Sequence, residues 1–81
     1  MPTSNDIVVK QTLDTRGTLC PVPIIRARQT MDKMSSGEVL KIVASDPGSK
    51  ADVPGWARMS GHTLLQSDIQ NGLFTFWVRK A

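Results

Sequence analysis

Cys20-Pro21-Val22-Pro23-Ile24-Ile25-Arg26-Ala27-Arg28-Gln29-Thr30-Met31-Asp32-Lys33-Met34 is the stretch on which the fold turns. Ile24, Ala27, Met31 and Met34 stand at i, i+3, i+7 and i+10, one apolar stripe along a helix. Arg26, Gln29 and Lys33 fall on the opposite face. Pro21 is expected at the first helical position and Pro23 two later. Both are tolerated there because first-turn amides have no acceptor inside the helix. Ser35-Ser36-Gly37 predicts the helix end, with glycine free to take the left-handed turn.

Upstream, Ile7 to Leu13 alternates as a strand, and Asp14-Thr15-Arg16-Gly17 reads as a turn. Downstream, Glu38 to Ala44 is a second strand, apolar on both faces and so expected in the middle of a sheet. Ser45-Asp46-Pro47-Gly48-Ser49 is a loop. Asp52 reads as the N-cap of a short second helix with Pro54 in its first turn, Val53, Trp56 and Ala57 inward, and Gly61 at its end. Thr63 to Ile69 and Leu73 to Arg79 are strands joined by the hairpin signal Gln70-Asn71-Gly72. The predicted fold class is α+β: a two-layer α/β sandwich of order β-α-β-α-β-β. Two helices cover one face of a four-stranded mixed sheet, because each helix has one stripe to bury.

The chain has 81 residues, 40% of them hydrophobic, with a net charge of +3. Residues 7–81 are expected to form a single domain behind a flexible lead of residues 1–6. No apolar run approaches the roughly 18 residues of a membrane span. The first residues carry no secretory pattern, which favours the cytoplasm. One cysteine and one histidine cannot build a disulfide framework or a zinc site, and no metal or cofactor is expected. Met31 and Met34 read as core. Leu73, Trp77, Val39 and Val43 would share the sheet face away from the helices, diluted by Lys41, Thr75 and Arg79 into a half-polar surface.

The chemistry rests on Cys20. The thiolate is the reactive form of cysteine, and a helix N-terminus favours it through partial positive charge. Pro21 and Pro23 stiffen the turn and lack amide protons, leaving the N–H groups of Val22 and Ile24 as donors toward the sulfur. Arg16 and Arg26 could add positive charge. The competing reading is an inert, buried cysteine. Hydrolytic Cys-His catalysis would need His62 within reach, and local sequence gives His62 only a structural role. A dithiol cycle needs a second cysteine, which is absent. A lone activated thiol can still accept a group and pass it on, and a sulfane sulfur held as a persulfide suits this.

Leu13-Asp14, Arg16-Gly17 and Cys20-Pro21-Val22-Pro23 resemble the signature of the TusA (SirA-like) sulfur-carrier, or sulfurtransferase, family. Gly37-Glu38, Asp46-Pro47, Asp52-Val53-Pro54, Gly61-His62, Leu64 and Arg79-Lys80 continue the resemblance in order, over residues 13–80. It implies a sandwich like the C-terminal domain of translation initiation factor 3. It also implies a relay: sulfur is taken from a donor protein of the cysteine desulfurase or rhodanese type and passed to an acceptor protein. Cys20 would bear the persulfide, and Pro21 and Pro23 would shape its helix start. Asp14, Asp46 and Asp52 match family positions and read as loop and cap residues. Thr18 stands where the family has an apolar residue. Leu19 and Val22 stand where members acting in tRNA thiolation carry a base and an acid. The apolar rim points toward sulfur trafficking or dissimilatory sulfur oxidation, with tRNA thiolation the alternative. Ala57 stands in the region where some relatives carry a second cysteine.

Arg26, Arg28, Lys33, Lys50 and Arg58 form either a docking patch for an acidic protein or a solvated helical surface. Arg16, Arg26 and Lys50 are the candidate charge or partner contacts. The reading from a different class is a small RNA-binding module. Against it stand the modest charge and the lack of a stacking platform interleaved with basic residues.

Overall fold

The computed structural model describes residues 7–19 and 21–81. The expected flexible lead, residues 1–6, and Cys20 lie outside the described residues. The elements are β1 (Gln11–Asp14), α1 (Val22–Met31), β2 (Val39–Ala44), α2 (Ser49–Met59), β3 (Thr63–Gln70) and β4 (Leu73–Arg79). The sheet order is β1-β2-β4-β3, with β1 parallel to β2 and the other pairs antiparallel. The fold is therefore α+β with a mixed sheet, as expected, and β2 is internal.

β1 is shorter than the alternation from Ile7 predicts. Its pairing starts at Gln11↔Leu40, and the Lys10 N–H donates to the Val39 carbonyl at 2.9 Å. Val39 is where β2 begins, so residues before Lys10 have no strand beside them to complete a ladder. Leu13, Leu40, Ile42, Phe76 and Val78 cover the helix-facing side of the sheet, and Ala27, Met31, Val53 and Ala57 meet them from the helices. Ala57 is thus core. On the other side Trp77 is buried, with the Lys41 ammonium 5.6 Å from its ring centroid across the β2–β4 register. That face is half-polar as expected, and no broad apolar patch forms on it.

Helix boundaries differ from the reading in three places. Pro21 is the N-cap of α1 rather than its first residue, and Pro23 lies in the first turn. The stripe continues to Met34, which is buried, but α1 ends at Met31. Lys33 and Met34 then donate to the carbonyls of Thr30 and Met31, a tightened last turn, and the Lys80 ammonium takes the Met34 carbonyl at 2.7 Å. α2 starts at Ser49 behind Gly48, so Asp52 is not its N-cap and Pro54 lies inside the helix. The turn that opens α2 runs through Pro47 and Gly48, whose carbonyls accept from Lys50, Ala51 and Asp52. Asp52 instead places its carboxylate in the first turn, at the positive end of the helix dipole.

α2 closes as predicted at Gly61, with φ +79°. Gly61 N–H donates to Arg58 and His62 N–H to Ala57, the paired bonds of a Schellman motif. Asn71 and Gly72 both have positive φ, 52° and 77°, and join β3 to β4 as a two-residue turn. A register shift between Leu64 and Gln66 marks a bulge in edge strand β3.

Because β1, β2 and β3 run in the same direction, α1 and α2 both begin at the carboxyl ends of their preceding strands. The two helix starts therefore share one end of the molecule.

Candidate functional site

At that shared end the loop out of β1 is fastened to β2. Thr15 is fully buried and donates both its N–H and its hydroxyl to the Val43 carbonyl, each at 2.7 Å. Thr18 donates its hydroxyl to the Thr15 carbonyl at 2.7 Å, and the Gly17 N–H donates to Ser45 Oγ at 2.9 Å. The last bond ties the loop leading to α1 to the loop leading to α2. Gly17 takes φ +83°, the freedom the turn requires.

Leu19 and Pro21, the neighbours of Cys20, are both exposed, Leu19 at 73%. Val22 and Ile25 continue an exposed apolar rim on α1, and Pro23 turns inward and is buried. The first-turn donors expected to face the sulfur are otherwise engaged. Val22 N–H donates to Leu19 at 2.9 Å, and Ile24 and Ile25 both donate to Pro21 at 3.1 Å. The start of α1 is closed on its own loop carbonyls.

Between α1 and α2 runs a groove of about 620 Å³, bordered by Pro21, Ile24 and Arg28 on one side and by Ala51, Trp56 and Met59 on the other. Met59 is 89% exposed. Trp56 is partly buried, and its Nε1–H has no acceptor among the described residues. Its ring leans on His62 at 5.4 Å between centroids. His62 itself accepts the Ala81 N–H at Nδ1, 3.0 Å, so it braces the chain end. Burial, and to a smaller extent the Lys80 charge, hold its pKa below the ordinary histidine value.

Of the three candidate charges, Arg16 and Arg26 both act on Asp14, Arg16 by direct contact and Arg26 at longer range. Arg16 folds back on Asp14 in a two-pronged pair, Nη2 to Oδ2 at 2.8 Å and Nε to Oδ1 at 2.9 Å. Hydrogen bonds from the Arg16 side chain and backbone lower the Asp14 pKa to about 2. Asp14 thus holds the turn, consistent with its reading as a loop residue. Lys50 is exposed in the first turn of α2. Arg26, Gln29 and Lys33 border a second cleft, against β1.

Sequence reading did not single out Thr15, Ser45 or Met59. Thr15 sat inside a turn motif, where a threonine usually faces solvent, and its buried acceptor comes from a residue 28 positions away. Among the described residues no group of three or more His, Cys, Asp or Glu could hold a metal ion. No helix there is long and apolar enough to cross a membrane.

A mixed sheet under two helices, with a Cys-Pro-x-Pro sequence leading into the first, defines a SirA-like two-layer sandwich. A crystal structure of a SirA-like protein from Desulfitobacterium hafniense superimposes with a TM-score of 0.70 at 25% identity, over 85% of this chain and 95% of that one. The chain belongs to the sulfurtransferase TusA family, whose sequence pattern matches residues 11–80. It is 44% identical over 71 residues to the sulfur carrier protein TusA of Allochromatium vinosum, covering 88% of this chain and 93% of that one. It is 37% identical over 68 residues to YrkI of Bacillus subtilis, covering 84% and 91%. Membership makes this chain one of the sulfur carriers, as the sequence motifs implied.

Proposed function

We propose that Cys20 carries sulfane sulfur as a persulfide and relays it between proteins of the cytoplasm, in sulfur trafficking or sulfur oxidation. The observation that carries this reading is the match of residues 11–80 to the sulfurtransferase TusA family, with Cys20 as the one cysteine of the chain.

The chemistry is two displacements at one sulfur. The Cys20 thiolate attacks the outer sulfur of a donor persulfide. A bond forms between Cys20 Sγ and that sulfur, the donor's S–S bond breaks, and the donor leaves as a thiolate. An acceptor thiolate then attacks the same outer sulfur and Cys20 departs as a thiolate. No net oxidation occurs, so the carrier needs no cofactor of its own. Donors of the cysteine desulfurase or rhodanese type and an acceptor with a reactive cysteine fit this exchange. The exposed apolar residues Leu19, Val22 and Ile25 supply a surface on which such partners can exclude water from the transfer.

The test is intact-protein mass spectrometry after incubation with a sulfane-sulfur donor. The expected result is a gain of one or more sulfur atoms, reversed by reductant and absent in Cys20→Ser. Equal gain by Cys20→Ser, or no gain with several donors, would overturn the reading.

A further inference from the structure

The second cleft lies between α1 and edge strand β1 and encloses about 230 Å³. Its helix-side wall is built from Arg26, Gln29 and Thr30 of α1 and from Lys33 in the turn that follows it, at i, i+3, i+4 and i+7. Gln11 and Leu13 of β1 close it, with Leu13 as a buried apolar floor. The lining therefore offers a guanidinium, an ammonium, two primary amides and a hydroxyl, and no carboxylate. Among the described residues Arg26 and Lys33 form no ion pair. Asp14, the next residue along β1, is gripped by Arg16 and also feels the Arg26 charge at longer range. Three carbonyls of the last turn of α1 are also taken. Asp32, Lys33 and Met34 donate to Arg28, Thr30 and Met31, so these acceptors do not face an incoming anion unpaired.

We propose that the cleft formed by Arg26, Lys33, Gln11, Gln29 and Thr30 binds a small tetrahedral oxyanion. Two cations supply the attraction, and the planar guanidinium can grip two oxygens at once. Amide and hydroxyl donors fit the remaining oxygens. The volume suits an ion of phosphate or thiosulfate size with some of its water. The cleft is distinct from the groove beside Pro21, and the proposal does not depend on Cys20 carrying sulfur.

The experiment is a titration of the full chain, as Cys20→Ser, with inorganic phosphate and with thiosulfate, followed by amide and side-chain NMR shifts. Ionic strength is held constant with chloride. The expected result is a saturable shift of the Gln11 and Gln29 side-chain amides. Arg26→Gln or Lys33→Gln should weaken binding by about tenfold, equivalent to about 1.4 kcal/mol, and Lys50→Gln should leave it unchanged. A parallel arm with phosphoserine separates a free ion from a phosphate borne by a larger molecule, according to which binds tighter. Shifts that fail to saturate, or that Lys50→Gln reduces as much as Arg26→Gln does, would reduce the cleft to diffuse surface charge and overturn the proposal.

Discussion

Thr15 gives both of its hydrogens to one oxygen. Its N–H and its hydroxyl each reach the Val43 carbonyl at 2.7 Å, in a position closed to solvent. The bonds pin the first residue after β1 to the end of β2, so the loop toward Cys20 leaves the sheet from a fixed point. Replacing Thr15 with valine keeps the shape and removes one donor. The Val43 oxygen retains the backbone N–H, so the expected loss is about 1 kcal/mol rather than that of an orphaned group. That corresponds to a melting-temperature drop of about 4–8 °C in a domain this small. Thr15→Ser, which keeps the hydroxyl, should recover part of it. A valine variant as stable as wild type in urea would show that the hydroxyl bond contributes nothing.

Two glycines are expected to respond to alanine with opposite signs. Gly72 has φ +77° in the hairpin, so a side chain there is strained by its backbone alone, with nothing within 4 Å to clash. Gly72→Ala should cost about 1 kcal/mol. Gly55 lies inside α2 without a left-handed φ, and a Cβ there also meets open space. Gly55→Ala should stabilise by about 0.5–1 kcal/mol, because it restricts the unfolded chain and suits the helix. Urea denaturation of the two variants checks the pair, and a shared sign would contradict the argument.

Local chemistry that acts within a few residues was legible in the sequence. Asn71-Gly72 announced its turn, Gly61 its helix end, and the Ile24-Ala27-Met31-Met34 stripe its buried side. The misplaced boundaries depended on a distant strand partner in one case and on the exact geometry of a local turn in the others. β1 begins at Gln11 because β2 begins at Val39, and no local pattern in Ile7-Val8-Val9 carries that fact. Asp52 looked like a cap because caps prefer aspartate, yet the helix opens three residues earlier at Ser49. The site shows the same division. The Cys-Pro-x-Pro motif was visible at once. The engagement of Val22 and Ile24 by the Leu19 and Pro21 carbonyls, and the return of Arg16 onto Asp14, depend on backbone geometry that residue spacing does not specify.

His62 should make stability fall on mild acidification. Its folded-state pKa lies below the ordinary value of about 6.5, chiefly because of burial. The neutral ring accepts the Ala81 N–H, a bond the protonated ring cannot accept. The unfolded chain therefore binds a proton more readily than the folded one. The contribution is fully present above about pH 6.5 and declines as pH falls below it toward the folded-state value. Thermal melts between pH 8 and pH 5 should slope downward in wild type and flatten in His62→Asn over that window. Equal slopes would place the acid sensitivity elsewhere.

Asp14 should titrate well below the ordinary aspartate value, at about pH 2. Its stabilising effect is then present above the ordinary value near 3.8 and is lost as pH falls through about 2. The pair is exposed, so the effect on overall stability is small. Carboxyl NMR shifts should move the Asp14 midpoint up toward 3.8 in Arg16→Ala. A midpoint that stays low would mean that Arg16 is not the cause, and would free its charge for a partner.

Leu19 and Met59 should matter to partners and not to folding. Both side chains are largely in solvent, at 73% and 89% exposure, so Leu19→Ser and Met59→Ser should each change stability by less than about 0.5 kcal/mol. Serine removes apolar surface without adding a charge that would alter the Cys20 thiol. Loading of Cys20 by inorganic polysulfide should therefore match wild type, since a small donor needs no docking surface. Loading by a persulfide-bearing cysteine desulfurase should slow several-fold, because an apolar contact at the centre of an interface carries a large share of its energy. Mass-spectrometric loading curves for the two donors, measured side by side, check both halves. Equal slowing with both donors would mean that the substitutions disturb the thiol itself. No slowing with either would remove the rim from the docking surface.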